Sequence, residues 1–325
     1  MIKRKTGIVL MNMGGPGAIE DVEPFLYNLF MDPDIIDIPL GKIFRPFIAK
    51  KISKKRAITA QGYYEKIGGK SPLLELTLHQ ASALNETFSK EENVTTTIAM
   101  RYWHPFTDEA IREILSQNLD TLVLLPLYPQ YSRATSGSSL NEFYRHWARK
   151  GKDNIEVIEI KDWHDHPGYI QSWVEKIRNE LDSFGGKVPH LIFSAHGIPQ
   201  KMVDEGDPYQ QQTEETVKLI LEKLNWNGPW HLSYQSRVGP VKWLKPSTED
   251  IIKSLGEKST DGALMIPISF VSDHSETLYE MDILYRDMAT KAGIKKFKRV
   301  PSLNSSPTFI KALKDMVLNK ISVEE

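Results

Sequence analysis

The chain has 325 residues, 40% of them hydrophobic and 26% charged, with a formal net charge of −1. These proportions exclude a disordered, collagen-like or disulfide-stapled chain, and the near-neutral charge argues against nucleic acid as a partner. Cysteine is absent, which removes disulfides, thiolate zinc sites, cysteine-ligated iron–sulfur clusters and a cysteine nucleophile, and leaves His, carboxylates, hydroxyls and Met for any metal chemistry.

Short apolar, β-branched runs alternate with segments of helical period, the pattern of βα units with parallel strands. Strands are predicted at 7–13, 94–100, 121–127, 154–160, 188–194, 230–235, 262–268 and 296–301. Amphipathic helices are predicted at 72–88, 108–117, 138–150, 167–184, 210–224, 247–255 and 276–292, with a last one at 305–320. Eight βα units would also suit a closed barrel. Four strands fall on either side of residue 160, however, so the expected fold is α/β with two doubly wound, Rossmann-like lobes, each a four-stranded parallel sheet flanked by helices. The expected division is 1–152 for an N-terminal lobe and 153–304 for a C-terminal lobe, with the tail 305–325 packing back on the first. Open parallel sheets bind ligands beyond the carboxyl ends of their strands. The residues that follow each strand, facing an expected cleft between the two halves, are therefore the candidates for function. The basic N-terminus is followed by an apolar run from Ile8 to Met13, too short for a secretory segment, and no run approaches a membrane span, so a cytoplasmic location is expected.

In chain order, the first strand leads into Asn12-Met13-Gly14-Gly15-Pro16-Gly17 and then a helix that contains residues 23–30. Glycine permits close approach to a ligand, but this is not the GxGxxG fingerprint and its Pro would spoil an amide cradle, so no dinucleotide site is expected. Residues 32–56 follow, with Lys42, Arg45, Lys50, Lys51, Lys54, Lys55 and Arg56 interleaved with Ile43, Phe44, Phe47, Ile48 and Ile52. This stretch reads either as a solvated helix face or as a basic amphipathic edge for anionic lipid or an anionic ligand. Tyr64-Glu65-Lys66-Ile67-Gly68-Gly69-Lys70-Ser71-Pro72 precedes a helix start, and Met100-Arg101-Tyr102-Trp103-His104-Pro105 ends the second strand. A guanidinium beside aromatic rings suits a flat ligand bearing carboxylates.

The fifth strand ends at Ser194-Ala195-His196-Gly197-Ile198-Pro199. A histidine at that place sits where a crevice opens, and imidazole suits either proton abstraction or delivery of a borderline metal; a satisfied structural histidine is the bland alternative. After the seventh strand come Phe270, Asp273, His274, Glu276 and Glu280. Helix capping explains one acid there. It explains the cluster less well, because Glu276 and Glu280 lie one turn apart and could pass protons or a cation inward.

Together these segments resemble the ferrochelatase family, enzymes that insert Fe2+ into a porphyrin as the last step of haem synthesis. The resemblance runs along almost the whole chain and rests on NMGGPG at 12–17, YYEKIGGKSP at 63–72, MRYWHP at 100–105, FSAHGIP at 193–199, YQSRVGPVKWLKP at 234–246 and SFVSDHSETLYEMD at 269–282. It implies the chelatase fold, with His196 as the essential histidine, taking pyrrole protons or binding iron, and Glu276 as its carboxylate partner across the macrocycle. It further implies that Met13, Arg56, Tyr64, Ser71, Arg101, Tyr102, Trp243, Phe270 and His274 line the porphyrin pocket or hold propionates, and that Leu26, Leu29 and Ile35 form an apolar lip. Asp273 and Glu280 would relay protons or metal. Fe2+ and protoporphyrin IX are then the substrates, with no tightly bound cofactor, and Arg56 with Arg101 resembles members that use protoporphyrin rather than coproporphyrin. Peripheral membrane contact would run through the lip and the basic stretch 42–56. The resemblance has two departures. Leu284 stands where other members carry a further acid, and the chain cannot hold the 2Fe–2S cluster of some members, so a monomer or weak dimer is expected. A cobalt or nickel chelatase for a more polar tetrapyrrole, and a porphyrin or haem carrier needing no His196–Glu276 pair, are the competing readings.

Overall fold

The computed structural model describes residues 4–35, 41–89, 93–152, 154–236 and 241–324, without the side chains of Lys42, Val323 and Glu324. The chain divides into two compact units, one of Met1–Asp162 with Ile310–Glu325 and one of Trp163–Phe309.

The first unit contains β1 (Thr6–Asn12), α1 (Val22–Phe30), α2 (Gly41–Lys66), α3 (Leu73–Glu86), β2 (Val94–Met100), α4 (Thr107–Leu115), β3 (Thr121–Pro126), α5 (Ser138–Lys150) and β4 (Glu156–Glu159). Its strands form one parallel sheet in the order β2-β1-β3-β4. β1 and β3 are buried along their whole length. Central strands of a parallel sheet are covered on both faces, so an unbroken apolar run is what they need. Val9, Met11, Ile111, Leu122, Leu124 and Phe143 form one core cluster of this unit, and full burial of each such side chain contributes roughly 1.5–3 kcal/mol.

The second unit contains α6 (Pro167–Leu181), β5 (His190–His196), the short α7 (Gln200–Asp204), α8 (Tyr209–Leu224), β6 (Trp230–Gln235), α9 (Thr248–Glu257), β7 (Ala263–Pro267), a π-helical segment Glu276–Tyr285 continued by α10 (Arg286–Lys291), and β8 (Phe297–Arg299). Its parallel sheet has the order β6-β5-β7-β8. Ile192, Ile252, Leu255, Met265, Met281 and Tyr285 pack together within it. The last helix, α11 (Pro307–Glu324), belongs to the first unit from Ile310 onward. There the Lys314 ammonium donates to the Thr87 carbonyl and lies 4.7 Å from the centre of the Phe88 ring.

Two features differ from the sequence-based expectation and a third, the helix over the basic stretch, extends one of its readings. The division falls after Asp162 rather than after 152, because β4 pairs with β3 and so completes the first sheet. The basic stretch is the first part of a single 26-residue helix, α2, which buries Ala49, Ser53, Ala57 and Tyr64 and leaves Ile43, Phe44, Phe47 and Ile58 in solvent. The helix predicted at 276–292 begins as a π-helix, which widens each turn and so places its side chains differently from an α-helix.

Each sheet changes winding direction beside its first strand, between β1 and β3 and between β5 and β7. The carboxyl ends of such strand pairs are where open α/β sheets bind ligands.

Candidate active site

His196 is the last residue of β5, in register with Gln235 at the end of β6. Its backbone N–H donates to Ser269 Oγ at 2.9 Å, and its carbonyl accepts from the Tyr209 hydroxyl at 2.9 Å. Gly197 follows because the chain turns against β6 there. A Cβ on Gly197 would come within 2.7 Å of the Gln235 carbonyl oxygen and 3.5 Å of the Trp243 ring.

The imidazole Nδ1 of His196 lies 2.8 Å from Glu276 Oε2. The histidine side chain is 39% exposed and the glutamate 16%, so the pair is anchored inside and open on the imidazole side. Glu276 Oε2 also accepts from Gln235 Nε2 at 2.9 Å and from Ser236 Oγ at 3.2 Å. The Gln235 amide is oriented by Ser194, whose hydroxyl donates to its Oε1 at 2.8 Å. Ser236 reaches Glu280 Oε2 as well, at 2.8 Å, and so links the two glutamates. On the other side, His274 Nε2 stands 3.8 Å from Glu276 Oε1 while its Nδ1 lies 3.2 Å from the Ser272 carbonyl. The Phe270 ring meets both histidines, with centroids 6.1 Å from His196 and 4.3 Å from His274.

The surroundings polarise these groups. Burial opposes a charged imidazole, but the charge and hydrogen bond of Glu276, and then Glu280, outweigh it and raise the His196 pKa. Burial also opposes the Glu276 carboxylate. The His196 charge and hydrogen bond, followed by those of His274, overcome it and hold Glu276 well below the usual carboxylate range. Glu280 goes the other way, with burial and then the Glu276 charge pushing it up to about 7. One glutamate is therefore a fixed anion and the other exchanges protons near neutrality, a division of labour suited to acid–base chemistry.

Asp273 has a different setting. Its carboxylate pairs with Arg299 and accepts from Ser302, Thr277 and Asn304. Burial is outweighed there by the Arg299 charge and these hydrogen bonds, so its pKa is lowered.

Of the sequence-predicted residues of the first unit, Met13, Ser71, Arg101 and Tyr102 lie at or just beyond the carboxyl ends of β1 and β2. The Tyr102 N–H donates to the Met13 carbonyl at 2.9 Å, and the Arg101 N–H to the Asn12 carbonyl at 2.8 Å. The Ser71 N–H donates to the Pro16 carbonyl at 2.8 Å, and its side chain lies where a Cβ on Gly15 would be. Tyr64 and Leu26 pack in one apolar cluster with Val22 and Ala57. Leu29, Ile35 and Arg56 are half-buried. Arg101 is not a free cation: its side chain is 9% exposed, with Nη2 3.1 Å from Asp32 and 3.7 Å from Glu142 and Nε donating to Ser138 at 2.8 Å. The same Asp32 accepts from the Tyr102 hydroxyl at 2.7 Å and from Ser138. Trp243 sits beside Gly197 and bridges Pro199.

The ferrochelatase family model matches residues 5–321. The chain belongs to the ferrochelatase family. Curated ferrochelatases resemble it closely: that of Aquifex aeolicus is 48% identical over 317 residues, 98% of this chain and all of that one. Those of Picosynechococcus and Gloeobacter violaceus are 49% and 47% identical, covering 83% and 98% of their own lengths and 98% of this chain. Among solved structures, SirB from Bacillus subtilis with Fe3+ aligns with a TM-score of 0.60 at 10% identity, covering 97% of this chain and 95% of that one. CbiX, described as the terminal enzyme of siroheme biosynthesis in denitrifying bacteria, aligns at 0.52 and 14%, covering 96% and 98%. At that identity the likeness shows the chelatase fold alone. Family membership makes the chain a metal chelatase, and its lack of cysteine excludes a cysteine-ligated cluster.

Of the supporting residues, Gln235, Ser236 and Ser269 lie within the motifs at 234–246 and 269–282 without being singled out there, and Tyr209 lies outside every such motif. Gln235 and Ser236 were within reach of the strand-end rule applied to β6; Ser269 and Tyr209 act through a hydrogen bond to the His196 backbone.

Proposed function

We propose that this chain inserts Fe2+ into protoporphyrin IX, giving protohaem and two protons as the terminal step of haem biosynthesis, and that His196 and Glu276 carry the reaction. The 2.8 Å contact between them at the carboxyl end of β5 supports this most strongly. A free-base porphyrin must lose two pyrrole protons while a hydrated dication sheds its water. His196, with its raised pKa, suits the proton acceptor. Glu276, held anionic, suits an oxygen ligand for the arriving iron, and His196 adds a nitrogen ligand only while its imidazole is unprotonated. Two protein donors leave the rest of the coordination shell to water and then to the pyrrole nitrogens. Glu280, joined to Glu276 through Ser236, takes protons onward. Asp273, expected in the same relay, has its oxygens occupied and serves as an anchor.

A flat macrocycle keeps its nitrogen lone pairs in its own plane, and grip on its periphery that bends it would expose them to the metal. In the first unit, Met13, Tyr64, Ser71 and Tyr102 are proposed as porphyrin contacts, Leu26, Leu29 and Ile35 as an apolar lip, and Arg56 as a propionate partner, while Arg101 acts by holding Tyr102. In the second unit, Phe270, His274 and Trp243 take the same part. No helix of the described residues is long and apolar enough to cross a membrane. A cytoplasmic protein, monomeric or weakly dimeric and touching membrane only through the lip and α2, fits this reading.

Glu276→Gln tests the assignment. Turnover is expected to fall about 100-fold while porphyrin affinity, read by fluorescence quenching, stays nearly unchanged. An equal fall in both would remove Glu276 from the chemistry.

A further inference from the structure

Arg299 ends β8 with its side chain only 8% exposed, and it holds two carboxylates at once. Nη1 is 2.8 Å from Asp273 Oδ1 and Nη2 is 2.7 Å from Asp282 Oδ2. Asp273 precedes Glu276 and Asp282 follows Glu280, so one guanidinium grips both ends of the stretch that carries both glutamates of the site. The Asp273 end is tied to the scaffold. Ser302 and Thr277 donate to its Oδ1 at 2.9 and 3.0 Å, Asn304 donates to its Oδ2 at 2.9 Å, and the Asp273 N–H returns to Asn304 Oδ1 at 3.0 Å. Asn304 holds the left-handed backbone at φ 47°, and its own N–H donates to the Val271 carbonyl at 2.7 Å.

A π-helix is rare and seldom stands without support. A small rotation of this one would carry Glu276 away from His196 Nδ1 and Glu280 away from Ser236. The planar fork of an arginine bridges two carboxylates in a fixed geometry, which a lysine ammonium on a flexible stem does not. We infer that Arg299 is a positioning residue for metal insertion, which acts through Asp273 and Asp282 to hold the π-helical segment at the rotation that joins Glu276 to His196 and Glu280 to Ser236. The inference rests on the reaction proposed above.

Arg299→Met would strand two carboxylates in a largely buried setting and endanger the fold, so the decisive variant is Asp282→Asn, which removes the Asp282–Arg299 pair, and with it the exposed Asp282–Arg286 contact at 3.3 Å, and keeps the Asp273–Arg299 pair. In the full-length protein its kcat is expected to fall roughly tenfold, with porphyrin Kd within about twofold of wild type and unfolding still cooperative. Asp282→Glu, which keeps the charge, should recover most of that loss. Amide exchange over Glu276–Tyr285 should quicken in Asp282→Asn while β5 and β7 stay protected. A kcat within about twofold of wild type, or a loss matched equally in porphyrin affinity, would overturn the inference. Unchanged exchange over the segment would overturn it too, and that readout needs no turnover. Wild-type turnover in the same assay tests the reaction itself, so the two failures are told apart.

Discussion

Glu276 and Glu280 stand four residues apart on one segment, yet their surroundings drive them in opposite directions. Paired titratable groups separated in this way divide the work of an acid–base site. Glu280 yields a pH test whose sign follows from linkage. Its pKa is about 7 in the folded chain against an ordinary 4.5, so the folded state holds this proton more tightly. The stability it contributes is full below 4.5 and is lost as pH rises through about 7. Glu280→Gln, which is always neutral, lacks that loss. The thermal midpoint of wild type is therefore expected to drop relative to the variant between those two pH values, and parallel profiles would show that Glu280 is not perturbed. At this scale His196 and Glu276 were legible in the sequence, because one follows a buried strand and the other lies in an acid cluster too dense for capping alone. Arg101 was legible as a cation beside aromatic rings, but its ion pairs were not. Asp32, which occupies it, lies far off in sequence and carries no motif of its own.

The central strands were legible as elements, since the apolar runs of β1, β3 and β7 match burial on both faces; β2 and β6, more polar and buried only toward their carboxyl ends, still agree residue for residue with the predicted spans. The π-helix was not. Its buried Thr277, Met281 and Tyr285 recur every four residues, a spacing that also suits an α-helix. Its winding is set by what it packs against, including the distant Arg299. In α2 the interleaved Lys, Ile and Phe read equally as a helix face over the core or a basic amphipathic edge, because its apolar residues are split between two uses. Ala49, Ala57 and Tyr64 are buried, while Phe47 and Ile58 are 73% and 76% exposed beside Lys50, Lys51, Lys54 and Lys55. Exposed apolar groups among cations suit an anionic bilayer surface. The protein is expected to sediment with vesicles containing phosphatidylserine and less so at high salt, and Phe47→Glu to weaken that binding. Equal sedimentation with neutral vesicles would discount the basic face.

For the whole molecule, the count of strands before and after residue 160 was enough to expect two four-stranded sheets. It did not give their order. That order depends on which neighbours each strand finds, and it places β1 and β5 at the centre with the NMGGPG turn and His196 at their carboxyl ends. Sequence spacing brought His196 and Glu276 no closer than 80 positions apart, and the sheet closes that gap to a hydrogen bond. In the proposed reaction, this contact performs metal insertion. Purified protein given Fe2+ and protoporphyrin IX without oxygen is expected to extinguish free-base porphyrin fluorescence with turnover, and His196→Ala to leave it unquenched beyond stoichiometric binding. Tight porphyrin binding by wild type without any metallation, or full turnover by His196→Ala, would contradict this role of the contact.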